Sequence, residues 1–378
     1  MNQTTRCRRT FLATTAVLAL ALAVAACDEG GSQTLGSAEI VLTPADFADL
    51  PGWGEGRFGD AFGAFRRSCR KLTALPAEQA MGADGMAGTA GDWLGICAAA
   101  ELAVVGPAID ETTARGFFET GFRPFAVAGA AGAVGKFTGY YEAELRGSRT
   151  RKPPYVVPIH RRPGDLGEGP YADRAAIMGG ALDGRDLELM WVDDPVDAFI
   201  LHIQGSGRVR FEDGAVARLG YADNNGHAYV AIGRLMRERG LLPPDNINMP
   251  AIRDWLRAHP VEGAALMAEN PRYIFFRERV GANPVGAQGV SLTPGHSLAV
   301  DAALIPLGAP LWLDTTWPAM TRPLRRLVIA QDTGAAITGA VRGDLFWGAG
   351  AEAFERAGRM NQSGRYYILL PRVVADRR

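Results

Sequence analysis

The sequence predicts a mainly β protein with helices set among its strands. Three observations predict it. Short apolar runs recur at 297–300, 309–314, 325–331 and 365–370, each of strand length and bounded by turn residues. Phe137–Leu145 carries three aromatic residues and a β-branched threonine, which suit a pleated, half-buried surface. A single helical pattern, 349–359, falls among the C-terminal strands, so these segments read as a small mixed barrel and not as a doubly wound sheet.

The elements follow in chain order. Arg6, Arg8 and Arg9 form a basic head, and Phe11 to Ala26 is an apolar run too short to span a bilayer comfortably. Residues 1–26 therefore read as a signal peptide, and Arg8-Arg9-Thr10-Phe11-Leu12 fits twin-arginine export as well as an ordinary signal. Val24-Ala25-Ala26-Cys27 looks like a bacterial lipobox, which makes Cys27 the lipid attachment site. The polar stretch 27–37 reads as a tether.

After Thr43 as cap, Pro44-Ala45-Asp46-Phe47 predicts a helix start. Phe58, Ala61, Phe62 and Phe65 repeat at helical spacing and form a core face. Residues 76–91, rich in Gly, Ala and Met, read as a loop. The strand from Phe137 ends before Pro153, Pro154 and Pro158. Asp197 to Val209 alternates imperfectly, as a strand would. His227 to Arg239 predicts an amphipathic helix, and Pro250 opens another that turns Ile252, Trp255 and Leu256 inward. Tyr273 to Arg277 reads as a strand, and 281–289 as a hinge.

Composition excludes several classes. The chain has 40 basic and 41 acidic residues. Without the first 26 residues the balance is 37 basic against 41 acidic, and no basic patch stands out, so nucleic acid is not an expected partner. No His-Glu-x-x-His helix, Gly-x-Ser-x-Gly elbow or Walker loop occurs, and neither a metal nor a cofactor is predicted. A mature body of roughly 350 residues suits two domains. Cys69 and Cys97 are the thiols left in it, an even pair in an exported chain. They are predicted to form a disulfide, with two buried free thiols as the alternative.

The chemistry points to the C-terminal third. Leu327-Val328-Ile329-Ala330-Gln331-Asp332-Thr333-Gly334 runs from an apolar strand into a carboxylate. Arg342-Gly343-Asp344-Leu345-Phe346-Trp347-Gly348 sets a second carboxylate before three bulky apolar residues. Desolvation raises a carboxyl pKa, and a carboxyl protonated near neutrality can serve as a general acid. A turn aspartate beside a buried aromatic is the plainer alternative.

These stretches resemble the three-aspartate domain of the membrane-bound lytic murein transglycosylase A family. Ser297-Leu298-Ala299-Val300-Asp301 with Leu304-Ile305-Pro306-Leu307-Gly308 resembles the first aspartate segment, and Asp332 and Asp344 the second and third. Upstream, Phe137–Glu142, His202–Gly207, Gly220–Tyr229 and Asn270–Phe276 resemble its substrate-domain motifs. Several motifs in one order are more specific than any alone.

The resemblance implies a double-psi β-barrel catalytic domain, 38–144 plus 284–376, with a second β-rich domain inserted at 145–283. It implies a murein glycan strand as partner, cut to 1,6-anhydromuramic ends with Asp344 as the single acid/base. Asp332 is its expected neighbour, and Asp301 orients a loop, binds a sugar or caps a turn. Thr138, Tyr140, Gln204, Tyr221 and Asp223 fall on the motifs of the groove, with core packing the alternative for the tyrosines. A monomer on the periplasmic side of the inner or outer membrane is expected. A two-aspartate hydrolase and an inert murein-binding lipoprotein are the competing readings.

Overall fold

The computed structural model describes residues 40–103, 109–280 and 284–378. Among them, thirteen strands form one continuous network of pairings. They are β1 (Ile40–Pro44), β2 (Phe122–Gly129), β3 (Gly135–Ser148), β4 (Val157–His160), β5 (Glu188–Val192), β6 (Ser206–Phe211), β7 (Val216–Asn224), β8 (Ile274–Arg279), β9 (Ser297–Ala299), β10 (Pro310–Thr316), β11 (Pro323–Asp332), β12 (Arg342–Ala349) and β13 (Asn361–Pro371). The order is β1-β2-β13-β10-β11-β9-β12-β3-β6-β7-β8, with β5 attached to β3 and β4 to β5. The protein is thus mainly β with helices, as its sequence predicts.

Two features of this network position the site. First, β13 also pairs with the start of β3, so β13, β10, β11, β9, β12 and β3 form a closed circuit of pairings. Second, β3 serves two neighbourhoods. Lys136–Glu142 pairs in parallel with β12, and Ala143–Gly147 pairs in parallel with β6. Trp312, Phe137, Tyr366 and Leu345 are buried within the circuit, and the Gly59–Leu72 helix packs Phe62 and Phe65 on Phe118 and Phe122 beside it. A disulfide joins Cys69 of that helix to Cys97 of the Leu94–Leu102 helix, with Cα atoms 5.3 Å apart. Among the described residues no helix is long and apolar enough to cross a membrane. Cys27 and the segments 1–26 and 27–37 lie outside the described residues.

Four expectations need correction. Pro44 does not open a helix: Ile40–Pro44 pairs with Phe125–Gly129, and only the single turn Phe47–Asp49 follows. Strand pairing here overrides a local start signal. Pro195–Gln204 is a helix and not part of an alternating strand. Asp194 Oδ1 accepts the Val196 N–H at 2.7 Å, Pro195 takes the first position, and Gly205 closes the helix at φ 72°. The helix expected from His227 begins only at Ile232, because the preceding backbone is held elsewhere: Val230 N–H donates to Asn270 Oδ1 and His227 O accepts from Arg272 Nη1. Trp255 turns inward only in part: it is half-buried, packs against the core beside the buried Ile252 and Leu256, and stacks on His259. Of the 281–289 hinge, 281–283 lie outside the described residues.

Candidate active site

Asp344 lies on β12, directly opposite Thr138 in the parallel pairing with β3. The sequence motif concealed this strand, since Arg342–Gly348 reads as loop and apolar anchor. As a strand, it sends Leu345 into the core and leaves Asp344 on the other face, where it is half-buried. Thr138 Oγ1 donates to Asp344 Oδ1 at 2.7 Å. Burial pushes the Asp344 carboxyl up to about 6, and the negative charge of Asp332 adds to that push. The Thr138 hydrogen bond and the positive charge of Arg342 oppose it.

Asp332 ends β11. Its Oδ1 accepts the main-chain N–H groups of Ala287 (2.8 Å) and Thr333 (2.9 Å), and its Oδ2 accepts the Tyr140 hydroxyl at 2.8 Å. Burial raises its proton affinity and those three donors lower it. The 284–290 loop reaches Asp332 because Gly286 has no side chain: a Cβ there would lie 2.4 Å from Gln331 O. Tyr140 also packs its ring on Phe346, 5.2 Å between centroids. Leu292, Ala299 and Ile337 complete an apolar floor with these two rings, which keeps water from the carboxylates.

Asp301 does not touch that pair. Its Oδ1 accepts Ala303 N–H at 3.1 Å and its Oδ2 accepts Gly339 N–H at 2.8 Å. It caps its own turn and fastens the loop that joins Asp332 to Asp344. Gln204 ends its helix with Oε1 accepting Tyr141 N–H at 3.1 Å, at the point where β3 passes from β12 to β6. Tyr221 and Asp223 stand apart on β7. Tyr221 is 43% exposed and accepts from Asn224, while Asp223 pairs with Arg162 at 2.7 Å.

Two residues of the site carried no role in the sequence reading. Arg342 Nη2 donates to Thr138 Oγ1 at 2.8 Å. A cation two positions before a carboxylate on a strand shares its face, and that spacing was the available signal. Gln331 is fully buried, and its amide donates to Ala64 O and Ser68 Oγ and accepts from Ser297 Oγ. It ties β11 and β9 to the Gly59–Leu72 helix beneath the carboxylates, and only the tertiary structure reveals those partners.

The chain matches two family models. One, described as the MltA specific insert domain, covers residues 136–277. The other, described as the 3D domain, covers residues 296–370 and includes all three aspartates. The chain is 36% identical over 241 residues to membrane-bound lytic murein transglycosylase A of Escherichia coli K12, a match covering 62% of this chain and 65% of that relative. It therefore spans slightly less than two thirds of the curated relative's length. A crystal structure of membrane-bound lytic murein transglycosylase from Agrobacterium tumefaciens is similar at a TM-score of 0.79 and 36% identity, over 89% of this chain and 99% of that one. A crystal structure of E. coli MltA with bound chitohexaose is similar at a TM-score of 0.66 and 28% identity, over 89% and 93% respectively.

Proposed function

The chain belongs to the membrane-bound lytic murein transglycosylase A family, and from that premise we propose that it cleaves the β-1,4 bond between N-acetylmuramic acid and N-acetylglucosamine in peptidoglycan. The observation that carries this reading is the Asp344 carboxyl, pushed up to about 6 on a face closed by apolar side chains. Such a group exists in both protonation states near neutrality. Protonated, it gives its proton to the glycosidic oxygen as the bond to C1 breaks. Ionised, it takes the proton of the C6 hydroxyl as that oxygen closes on C1. The product is a 1,6-anhydro end, no water is consumed, and Asp344 returns to its starting state.

Asp332 is the buttress in this reading. A carboxylate offers about four acceptor sites, and three donors already occupy Asp332. A two-aspartate hydrolase would need this group to activate water, so its engagement favours the lyase. Its charge also helps Asp344 keep a proton. Asp301 acts further out, by holding the loop at Gly339.

We read the closed circuit of β13, β10, β11, β9, β12 and β3 as a double-psi β-barrel, built from 38–144 plus 284–376, with 145–283 inserted. The parallel pairs β9–β11 and β3–β12 support that reading. The glycan would lie along β3, with Thr138 and Tyr140 at the cleaved bond and Gln204, Tyr221 and Asp223 further along the insert. The chitohexaose held by the E. coli relative supports a saccharide chain as ligand. Signal cleavage, lipid on Cys27, and a monomer facing murein from the inner or outer membrane complete the proposal.

The deciding experiment is digestion of purified murein followed by mass spectrometry. Anhydro ends, one water lighter than reducing ends, are expected. Reducing ends alone would replace this reading by the hydrolase, and no cleavage by the inert binding protein.

A further inference from the structure

Arg342 and Asp344 are two residues apart on β12 and share a face, and Thr138 stands opposite Asp344 on β3. The three side chains form a relay. Arg342 Nη2 donates to Thr138 Oγ1 at 2.8 Å, and Thr138 Oγ1 lies 2.7 Å from Asp344 Oδ1. A guanidinium has no acceptor, and a hydroxyl has one hydrogen. Arg342 therefore occupies an Oγ1 lone pair and leaves the hydroxyl hydrogen to point at Asp344. The fork itself is fixed, because Nη1 donates to Gly343 O and, at 3.3 Å, to Lys136 O. Arg342 makes no ion pair among the described residues.

We infer that Arg342 is a positioning residue that commits the Thr138 hydroxyl to Asp344 Oδ1, and so confines the transferable proton to Oδ2. Oδ1 accepts the Thr138 hydrogen, so a proton on Oδ1 would oppose it. Oδ2 has no hydrogen-bond partner among the described residues and is the oxygen left to face a glycosidic bond. This inference rests on the reading of Asp344 as the acid/base.

Arg342 has a second effect through its charge. The titratable groups that face Asp344 are Arg342 on its own strand, Asp332 at the end of β11, and Tyr140 on β3; β9 contributes only Leu298 and Ala299. Burial and Asp332 favour the protonated carboxyl, while Arg342 and the Thr138 bond favour the ionised one. Without Arg342 both opposing contributions weaken together. The group would then give up its proton less readily and return poorly to the base form needed for the second step.

The test is the pH dependence of kcat/KM on murein for the full chain in detergent. The alkaline limb reports loss of the essential acid proton. Arg342→Met is expected to move that limb up by about one pH unit and to lower turnover at neutrality by about 10-fold. Thr138→Val should move it in the same direction. The double variant should move it by less than the sum of the two single changes, because Arg342 acts in part through the Thr138 hydroxyl. Arg342→Lys keeps the charge and should restore most of the limb position. Thermal melts establish that each variant is folded, and Arg342→Gln carries the test if the methionine variant is not. An alkaline limb unmoved in a folded Arg342→Met protein, or additive shifts in the double variant, overturns the inference. If the unaltered chain makes no anhydro ends, the parent reading fails instead. Carbon-13 NMR titration of the Asp344 carboxyl then decides the positioning separately: a titration moved upward by Arg342→Met supports it, and an unmoved one ends it.

Discussion

The face of β3 and β12 and the interior around β8 both bury ionisable groups, but they leave them in opposite conditions. Around β8, Arg174 is 3% exposed. Its Nε donates to Asn270 O at 3.0 Å and its Nη2 to Arg272 O at 2.6 Å, and it lies over the Phe199 and Tyr273 rings. His160 Nδ1 bonds the Tyr273 hydroxyl, and Asn225 donates to Ala172 O and Pro271 O. Burial, with Arg174 alongside, drives His202 well below the usual imidazole range, and burial lowers Arg174 to about 10. Arg174 is shifted as strongly as Asp344, yet Arg174 and Asn225 spend their donors on main-chain carbonyls. Asp344 instead retains an unbonded oxygen. A perturbed pKa records burial, and so can a free valence: His160 Nε2 also lacks a partner but is sealed inside, whereas the free oxygen of Asp344 belongs to a side chain that is only half-buried, and that access distinguishes a reactive site from an interior knot.

The sharpest way to break this contrast is to remove each key group. Asp344→Asn should fold, bind glycan strands, and lose murein cleavage by at least ~100-fold, the scale for a positioned proton donor. It should also be more stable than the unaltered chain at neutral pH, by roughly 2 kcal/mol, because it removes the cost of burying an ionised carboxyl. A destabilised variant, or one with near-normal turnover, would make Asp344 structural. Arg174→Met should do the reverse. It strands Asn270 O and Arg272 O without their donor. A loss of about 2 kcal/mol in denaturant unfolding is expected, with the alkaline limb of kcat/KM unmoved. A shifted limb would mean that the two regions are electrostatically coupled.

Asp332→Asn tests the boundary between these behaviours. Three donors commit the group structurally, and its charge reaches Asp344. Activity should fall by about 10-fold, less than for Asp344→Asn, and the alkaline limb should move to lower pH. That direction is opposite to the one expected for Arg342→Met. A dead Asp332→Asn beside an active Asp344→Asn would exchange the two roles.

Much of the carboxylate face was legible because its signals are local. Gly343 before Asp344 permits close packing on Leu298 and Phe137, and Leu345 and Phe346 supply the apolar surround. The strands 297–300, 309–314, 325–331 and 365–370 fall within a few residues of β9, β10, β11 and β13. What could not be read was partnership across the chain. Nothing near Gln331 announces Ala64 and Ser68, more than 260 residues away. Nothing near Asp301 announces Gly339. The Pro195–Gln204 helix was misread for a different reason. Its apolar run, Ala198 to Leu201, is buried throughout and is too short to reveal a helical period. The Asp194-Pro195 start and the Gly205 stop carried the information instead.

The smallest expected effect separates the two regions by sign. The Asp344 carboxyl has a raised pKa in the folded chain, so its contribution to stability is full below the ordinary carboxyl range and is lost as pH rises through about 6. His202 and His160 have lowered pKa values, so their contribution is full above the ordinary imidazole value and is lost as pH falls below about 6.5. Acidification from neutrality to pH 5 should therefore tighten the carboxylate face while it loosens the histidine knot. Hydrogen exchange by mass spectrometry reads both at once. Peptides holding Leu201 and Phe275–Phe276 should lose protection by about 1 kcal/mol, and those holding Leu298 and Leu345 should hold or gain it. Asp344→Asn should abolish the second trend and leave the first untouched. Parallel loss of protection in both sets of peptides would show that the regions open as one unit, and the distinction between a reactive site and an interior knot would then have no thermodynamic counterpart.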